Sequence, residues 1–284
     1  MCSGRSVTDR VLVNGELGGA IASTDRGLCL GDGVFETIAV TDGQPLRWST
    51  HLERLSAGCA RLGIPCPSAD TLAAERQGLI PGGGNGILRV TVSRGPGGAG
   101  YAVPAVPQPT RILRFRETPG ITLRGEPATV RTCALRLAEQ PALAGIKHLS
   151  RLEQILARQE WTDPAIDEGL MYDRQGYLVE ATASNLFLSR GGRLLTPRLD
   201  RCGVAGVLRS YVLAAAEQLG IEVSIGRVQG DDLERADEVF LTNSIRGLRP
   251  VRAVDGRLVA STAPLARRLA DAIEGAHEAR YRIE

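Results

Sequence analysis

The middle of the chain contains the stretch Gly145-Ile146-Lys147-His148-Leu149-Ser150-Arg151-Leu152-Glu153-Gln154. Lys147 is the only lysine among 284 residues, beside 33 arginines. A surface charge or an ion pair would tolerate arginine, but a nucleophilic amine would not, because arginine stays protonated at any working pH. The chemistry that needs this difference is imine formation with a carbonyl cofactor such as pyridoxal phosphate. The sequence therefore points to a catalytic lysine, with the chance survival of one lysine as the alternative.

The sequence on either side of Lys147 predicts an α+β fold in two subdomains. Apolar periodicity indicates helices at 50–62, 206–219 and 264–277, and a helix just after Lys147. Strands are expected at 34–40, 87–92, 112–115, 169–172, 178–180, 185–188, 221–225 and 238–241. Glycine and proline become frequent between residues 118 and 127 without apolar periodicity. We therefore expect a smaller amino-terminal domain (1–117), an interdomain loop (118–127) and a larger carboxy-terminal domain (128–284) that carries Lys147.

Composition and charge exclude several classes of protein. The net charge is +2 and the pI is about 8.3, and the arginines are interleaved with acids. This pattern predicts neither a nucleic-acid nor a membrane partner. The chain has no apolar stretch of about 18 residues and no export signal at its amino terminus, so a cytosolic location is expected.

The cysteines and histidines favour neither disulfides nor a metal site. Six cysteines lie far apart without a C-x-x-C pair, which predicts reduced thiols packed as small apolar groups. Only three histidines are present, so no metal centre is expected.

A pyridoxal phosphate site also needs a carboxylate for the pyridine nitrogen and donors for the phosphate. Glu180 ends an apolar strand and precedes a run of small residues, an odd place for a solvated charge, although a surface glutamate at a strand end is the alternative. Glycines in Gly203–Arg209 stand at the start of a predicted helix, where free N–H groups favour an anion. The hydroxyls of 242–244 and the guanidinium of Arg54 are further candidates. Each of these patterns is common when taken alone.

Four stretches in order resemble the fold-type-IV pyridoxal-phosphate enzymes, which include branched-chain and D-amino-acid aminotransferases and aminodeoxychorismate lyases. They are Ser23-Thr24-Asp25-Arg26-Gly27-Leu28-Cys29-Leu30-Gly31-Asp32-Gly33-Val34-Phe35-Glu36-Thr37, His51-Leu52-Glu53-Arg54-Leu55, the stretch around Lys147, and Asp237-Glu238-Val239-Phe240-Leu241-Thr242-Asn243-Ser244. The resemblance extends from about Val11 to about Val251.

The resemblance implies the D-amino-acid aminotransferase-like fold, a homodimer and pyridoxal 5'-phosphate as the cofactor. By position, Lys147 would bind the cofactor as an imine, Glu180 would face its pyridine nitrogen and Arg54 would bind its phosphate. The backbone of Val207 and Leu208 and the hydroxyl of Ser244 would complete the phosphate site. Thr37 would relay a proton, as its counterpart is thought to do in the lyases.

Some stretches are similar to the bacterial lyases in particular. They are Leu143-Ala144-Gly145-Ile146-Lys147-His148-Leu149, Arg151-Leu152-Glu153-Gln154, Thr196-Pro197-Arg198-Leu199-Asp200, and Tyr101 after the Ser93-Arg94-Gly95 loop. This similarity implies a small-molecule substrate, 4-amino-4-deoxychorismate, which is converted to 4-aminobenzoate and pyruvate in folate synthesis.

The chain departs from the lyase pattern in the substrate pocket. Ala99 occupies a place where many lyases have arginine, and Ser150 stands where they often carry asparagine. Arg94, Tyr101 and Asn243 are expected to contact the substrate, and Arg94, Arg151 or Arg246 could replace the missing cation. The cofactor residues leave a fold-type-IV aminotransferase as the alternative function, and a cofactor-binding protein without turnover as a third.

Overall fold

The computed structural model describes residues 9–259 and 264–281, which form two compact units. The first unit contains the described residues through Ile121 together with Ile146–Ser150. The second contains Thr122–Gly145 and the described residues from Arg151 onward. The short segment around Lys147 thus packs with the first unit, whereas the sequence-based division placed it in the larger carboxy-terminal domain.

The first unit is built on a six-stranded sheet in the order β2-β1-β6-β5-β3-β4. Its strands are β1 (Asp9–Val13), β2 (Glu16–Leu17), β3 (Gly33–Thr41), β4 (Gln44–Pro45), β5 (Gly86–Ser93) and β6 (Thr110–Glu117). All the pairings are antiparallel, and β3 is paired with β5 along its length, from Gly33 with Ser93 to Val40 with Gly86.

Three helices complete this unit: α1 (Arg26–Leu30), α2 (Trp48–Leu62) and α3 (Ala69–Leu79). Helix α2 buries Leu55 and Cys59 in one apolar cluster with Val34 and Ile38 of β3. Gly63 ends α2 in the left-handed conformation (φ 64°), which glycine adopts without steric cost. Helix α2 is thereby fixed against one face of β3.

The second unit contains a nine-stranded mixed sheet in the order β12-β11-β10-β13-β14-β7-β8-β9, with β15 paired to β14. Its strands are β7 (Ala128–Leu137), β8 (Glu168–Asp173), β9 (Leu178–Ala181), β10 (Asn185–Arg190), β11 (Arg193–Pro197), β12 (Val223–Gly226), β13 (Glu238–Asn243), β14 (Gly247–Val254) and β15 (Arg257–Leu258). Parallel pairs join β7 with β8, β7 with β14, and β11 with β12, and the other pairs are antiparallel.

Four helices belong to the second unit: α4 (Leu152–Arg158), α5 (Val207–Gln218), α6 (Gly230–Glu234) and α7 (Pro264–Tyr281). Helices α5 and α7 share an apolar cluster with Phe187 and Phe240, whose rings stack 5.1 Å apart. This packing covers β10 and β13 and sets the direction in which α5 begins.

The predicted α+β content is confirmed, and the predicted helices and strands are present within a few residues of the expected bounds. Strands β7, β11 and β14 and helix α3 were not predicted, because charged or turn residues break their apolar pattern, and the short elements β15, α1 and α6 were not predicted either. No helix in the described part of the chain is both long and apolar enough to cross a bilayer.

The expectation of packed cysteines is wrong for two positions. Cys59 and Cys133 are buried, but Cys29 and Cys66 are exposed. Spacing alone does not show which side of a turn or helix end a thiol occupies. Cys2 lies outside the described residues.

Candidate active site

Strand β3 presents different chemistry on its two faces. Because side chains alternate along a strand, Phe35 and Thr37 share one face and Glu36 lies on the other. Phe35 and Glu36 are buried and Thr37 is half-buried. The Lys147 side chain lies on the face that carries Phe35 and Thr37.

The backbone around Lys147 is hydrogen-bonded to β3. The N–H of Phe35 donates to the Lys147 carbonyl at 3.0 Å, and the N–H of Leu149 donates to the Gly33 carbonyl at 2.9 Å. A Cβ at position 33 would lie 2.7 Å from the Leu149 side chain and 2.5 Å from the Val92 carbonyl of β5, so glycine lets this segment approach β3. Two backbone bonds therefore hold Lys147 in place.

The Lys147 ammonium lies over an aromatic ring. Its Nζ is 4.3 Å from the centroid of the Phe35 ring. Thr37 stands two residues farther along β3 on that same face, which suits a residue that passes a proton near an amine. The structure thus brings two of the predicted catalytic residues to one strand face.

Arg89 lies on this face as well, and sequence reasoning missed it. It is paired directly with Thr37 across β3 and β5, and its guanidinium carbon is 4.0 Å from the Phe35 centroid. Burial lowers the pKa of Arg89, and the positive charge of Arg114 lowers it further. Among the described residues, no acid or hydrogen-bond acceptor pairs with its side chain. A half-buried cation without an acidic partner is typical of an anion-binding site.

A signal for Arg89 was present in the sequence. It interrupts the otherwise uncharged strand Ile87–Val92, in a sheet whose neighbouring positions are buried. A charge inside such a strand needs a reason, because burying an unpaired cation costs several kcal/mol in order of magnitude.

Arg54, the predicted phosphate ligand, lies on α2 and contacts the opposite face of β3. Its Nε donates to Glu36 Oε1 at 2.7 Å, and a second nitrogen donates to Oε2 at 2.5 Å. His51 Nδ1 also lies 2.6 Å from Oε2. Arg54 is therefore held by a buried carboxylate and is not a solvated surface charge.

Glu180 lies in the second unit and is 4% exposed, so it is not the surface glutamate of the alternative reading. Its Oε2 accepts a hydrogen bond of 2.8 Å from the N–H of Val204. Gly203 has φ +83° and passes so close that a Cβ there would lie 2.8 Å from the Val179 side chain. The buried carboxylate is thus fixed beside the loop that leads into α5.

The amino terminus of α5 begins at Val207 and Leu208, as predicted for phosphate binding. Gly206 precedes it and provides no side-chain cap, so the first N–H groups point outward as donors. A Cβ at position 206 would lie 2.0 Å from Asn185 Oδ1, and the Asn185 amide itself donates to the Val204 carbonyl at 2.8 Å. This close approach explains why glycine precedes the helix.

The run 242–244 divides into two parts. The Asn243 amide oxygen accepts from the N–H groups of Ile245 and Arg246, and its nitrogen donates to the Ala183 carbonyl. Its polar atoms thus shape the turn, and the substrate contact of Asn243 stays a prediction. Ser244 is half-buried, and in the described residues the buried hydroxyl of Thr242 has no hydrogen-bond partner.

Arg94, which is also predicted to contact the substrate, is hydrogen-bonded within the first unit. Its guanidinium donates to both carboxylate oxygens of Asp32 and to the carbonyls of Leu62 and Gly63. A side chain whose donors are used in this way braces the end of α2. Tyr101, the other predicted contact, is exposed.

The two other arginines considered as substrate-binding cations lie in different environments. Arg246 is exposed and lies 3.4 Å from Glu168. Arg151 is half-buried, burial lowers its pKa, and its Nε has no partner within the described residues. No group of three or more acidic, cysteine or histidine residues suited to a metal was found in the described part.

Comparison with known proteins places these residues in a family context. The family model "Amino-transferase class IV" matches residues 33–254. The chain is 34% identical to the aminodeoxychorismate lyase of Vibrio harveyi, over 81% of this chain and 86% of that protein. It is 26% identical to the D-alanine aminotransferase of Bacillus licheniformis, over 90% and 92% of the two chains.

Solved structures show the same fold. The crystal structure of 4-amino-4-deoxychorismate lyase from Pseudomonas aeruginosa has a TM-score of 0.84 and 43% identity, covering 93% of this chain and 98% of that one. The branched-chain amino acid aminotransferase of Escherichia coli has a TM-score of 0.80 and 26% identity, covering 94% and 93%. The predicted fold-type-IV architecture is confirmed by these likenesses.

Proposed function

The chain belongs to the class IV aminotransferase family, and on that premise we propose that it is an aminodeoxychorismate lyase. It is an enzyme, and enzymes of this family use pyridoxal 5'-phosphate. The proposed reaction converts 4-amino-4-deoxychorismate to 4-aminobenzoate and pyruvate. The observation that carries the proposal is the 43% identity to the Pseudomonas lyase along almost the whole of both chains.

The residues present fit the cofactor. The second unit offers a buried carboxylate, Glu180, a helix start at Val207 without a side-chain cap, and the buried Thr242 hydroxyl, which has no hydrogen-bond partner among the described residues. The first unit offers the amine of Lys147 and the guanidinium of Arg54. That both sets act on one cofactor is part of the proposal and follows from the resemblance of their sequence motifs.

When bound, pyridoxal phosphate supplies a protonated ring that accepts the electron pair left when a substrate carbon loses its proton. Glu180 would keep the ring nitrogen protonated, because a buried carboxylate stabilises a neighbouring cation. Lys147 would hold the cofactor as a Schiff base. Once displaced by the substrate amine, its Nζ would take the proton from the carbon that bears nitrogen.

Thr37 would then pass a proton to the departing enolpyruvyl oxygen. Its place beside Phe35, on the face where Lys147 Nζ lies, supports this role. Protonation of that oxygen assists the elimination, because the leaving group then departs as a neutral enol and not as an enolate anion.

Arg89 would bind a substrate carboxylate. The proposed substrate carries two carboxylates, and Ala99 leaves one expected cation missing. Arg89 is half-buried, lacks an acidic partner among the described residues and is paired with Thr37. It therefore suits this part better than Arg94, whose donors are used within the protein.

We also propose that the enzyme is a homodimer. Helix α4 exposes Leu152, Ile155 and Leu156, each more than half accessible in the single chain. A cluster of large apolar side chains on one short helix is typical of a surface that another chain covers.

The test is a coupled assay in which a separate synthase makes the substrate from chorismate and glutamine. We expect 4-aminobenzoate and pyruvate in equal amounts. D-alanine or a branched-chain amino acid with 2-oxoglutarate is supplied in parallel. Amino transfer that is much faster than elimination would refute the lyase and support the aminotransferase. A yellow protein inactive in both assays would indicate cofactor binding without turnover.

A further inference from the structure

A carboxylate lies in the apolar layer between β3 and α2. Glu36 lies on the same face of β3 as Val34 and Ile38, which share an apolar cluster with Leu55 of α2, and its side chain is 1% exposed. Apolar residues of similar volume pack at least as well as a buried ion pair in such a layer. Packing alone therefore does not explain why a charged residue occupies position 36.

Within the described part of the chain, the hydrogen-bond partners of the Glu36 carboxylate are one arginine and one histidine. Arg54 donates through Nε and a terminal nitrogen at 2.7 and 2.5 Å, one to each carboxylate oxygen. His51 Nδ1 lies 2.6 Å from Oε2 and is as buried as Glu36. Arg54 and His51 occupy positions three apart on α2, so they are neighbours on one helix face.

The protonation states agree with this geometry. Burial raises the pKa of Glu36, but hydrogen bonds from His51 and Arg54 outweigh it and hold the pKa below its usual range. Burial lowers the pKa of His51 more than Glu36 raises it. At neutral pH an ionised Glu36 thus accepts from a neutral His51 and a charged Arg54.

A guanidinium is planar and has five donors in a fixed fork. Two of them are committed to Glu36, which sets both the plane and the direction of the group. The long side chain of arginine otherwise has many rotamers, and a ligand has to restrict them when it binds. A carboxylate that restricts them beforehand improves the binding of an anion at another edge of the guanidinium.

We infer that Glu36, supported by His51, is a positioning residue that orients Arg54 for the cofactor phosphate. This inference rests on the proposed function. It predicts a change in phosphate affinity opposite to the one that charge alone predicts when Glu36 is neutralised. Removing a negative charge next to Arg54 would strengthen phosphate binding if charge alone mattered, whereas loss of orientation weakens it.

The test compares pyridoxal phosphate with pyridoxal, which has the aldehyde and ring but no phosphate. Dissociation constants are measured by absorbance titration of apoprotein prepared from the purified enzyme. We expect Glu36→Gln to weaken pyridoxal phosphate binding by about 10-fold and to leave pyridoxal unchanged. Glu53→Gln is the matched control, because Glu53 is an exposed carboxylate on the same helix, and both constants should stay as in the wild type.

A double-mutant cycle with Arg54→Lys tests whether Glu36 acts through Arg54. The double variant should bind pyridoxal phosphate no more weakly than Arg54→Lys alone. Additive losses, an equal loss for both ligands, or tighter phosphate binding in Glu36→Gln would each overturn the inference. If Glu36→Gln fails to fold, the same titrations are made with His51→Gln. We expect its affinity for pyridoxal phosphate to fall about three-fold and its affinity for pyridoxal to stay unchanged. An unchanged ratio of the two constants in that variant would overturn it.

Failure of the proposed function gives a different result. A wild-type protein that shows no preference for pyridoxal phosphate over pyridoxal, and no adduct with either, does not use this cofactor. A wild-type preference that survives in Glu36→Gln leaves the cofactor assignment intact and removes only the positioning role.

Discussion

The backbone N–H of Val204 donates a hydrogen bond of 2.8 Å to Glu180 Oε2. Val204 is three residues before the start of α5, so one buried carboxylate at the end of β9 also fixes the loop that leads into that helix. Within the second unit, the residue proposed for the pyridine nitrogen is thus linked to the helix proposed for the phosphate through the loop that precedes that helix.

Replacing Glu180 with glutamine separates charge from structure. The amide oxygen can still accept from Val204, so the Tm should change little. Without an anion at the ring nitrogen, kcat should fall at least 10-fold. Titration of the variant apoprotein with pyridoxal phosphate should still give the absorbance of the imine. Glu217→Gln, an exposed position on α5, should leave kcat unchanged. An undiminished rate in Glu180→Gln would show that another group serves the ring.

Lys147→Arg should abolish turnover while the protein stays folded, because charge and approximate bulk are conserved. Borohydride reduction followed by peptide mass spectrometry should find the phosphopyridoxyl group on Lys147 in the wild type. The variant should carry it nowhere, since the chain has no second lysine. Adduct-free peptide from fully active wild type would contradict the assignment.

Arg89→Gln should raise KM for the substrate by about 10- to 100-fold, as expected when a charged hydrogen bond worth roughly 1.5–3 kcal/mol is lost. The free energy of unfolding should stay constant or rise, because the variant no longer buries an unpaired cation. Arg114→Gln is the control, since Arg114 pairs with Arg89 across β5 and β6 but is bound to Asp9. Equal KM values in the two variants would show that Arg89 does not bind the substrate.

Gly206→Ala should destabilise the protein by about 1–3 kcal/mol, because its Cβ would lie 2.0 Å from Asn185 Oδ1. Cofactor affinity should fall as well, since the start of α5 would have to shift. Gly230→Ala at the start of α6 meets open space and should change stability by less than about 0.5 kcal/mol. Urea denaturation of both variants measures the difference, and similar values would contradict the close approach at Gly206.

His51 should make stability depend on pH near neutrality. Its pKa is lowered in the folded chain from the ordinary 6.5, so below pH 6.5 the unfolded chain binds a proton that the folded chain does not. Stability is therefore full above pH 6.5 and is lost as the pH falls below it. Between pH 7.5 and 5.5 the wild type should lose up to about 1 kcal/mol more than His51→Gln, measured by urea denaturation. Parallel pH profiles would show that His51 does not titrate in this way.

Features encoded in short stretches could be read from the sequence. The lone lysine before a helix, the glutamate at the end of an apolar strand and the glycine-led start of α5 all belong to this class. Their positions follow from local backbone geometry, so sequence patterns predict them.

Features that depend on distant pairing could not be read in this way. Arg94 is bound by Asp32, 62 residues earlier in the chain, and no local pattern shows that its donors are already used. Arg89 became a candidate only once the register placed it opposite Thr37. The Glu36 contact with Arg54 likewise joins a strand and a helix whose packing the sequence does not specify.

The backbone bonds that tie Lys147 to β3 span more than 100 residues of chain. During vectorial synthesis on the ribosome, β3 is made long before Lys147, and the intervening residues include the start of the second unit. Until residue 147 has emerged from the ribosome, the nascent chain contains the edge of β3 that binds this segment, but not Lys147 itself. On the proposed role of Lys147, cofactor binding comes late in biosynthesis, and a chain that ends before residue 147 would not become yellow.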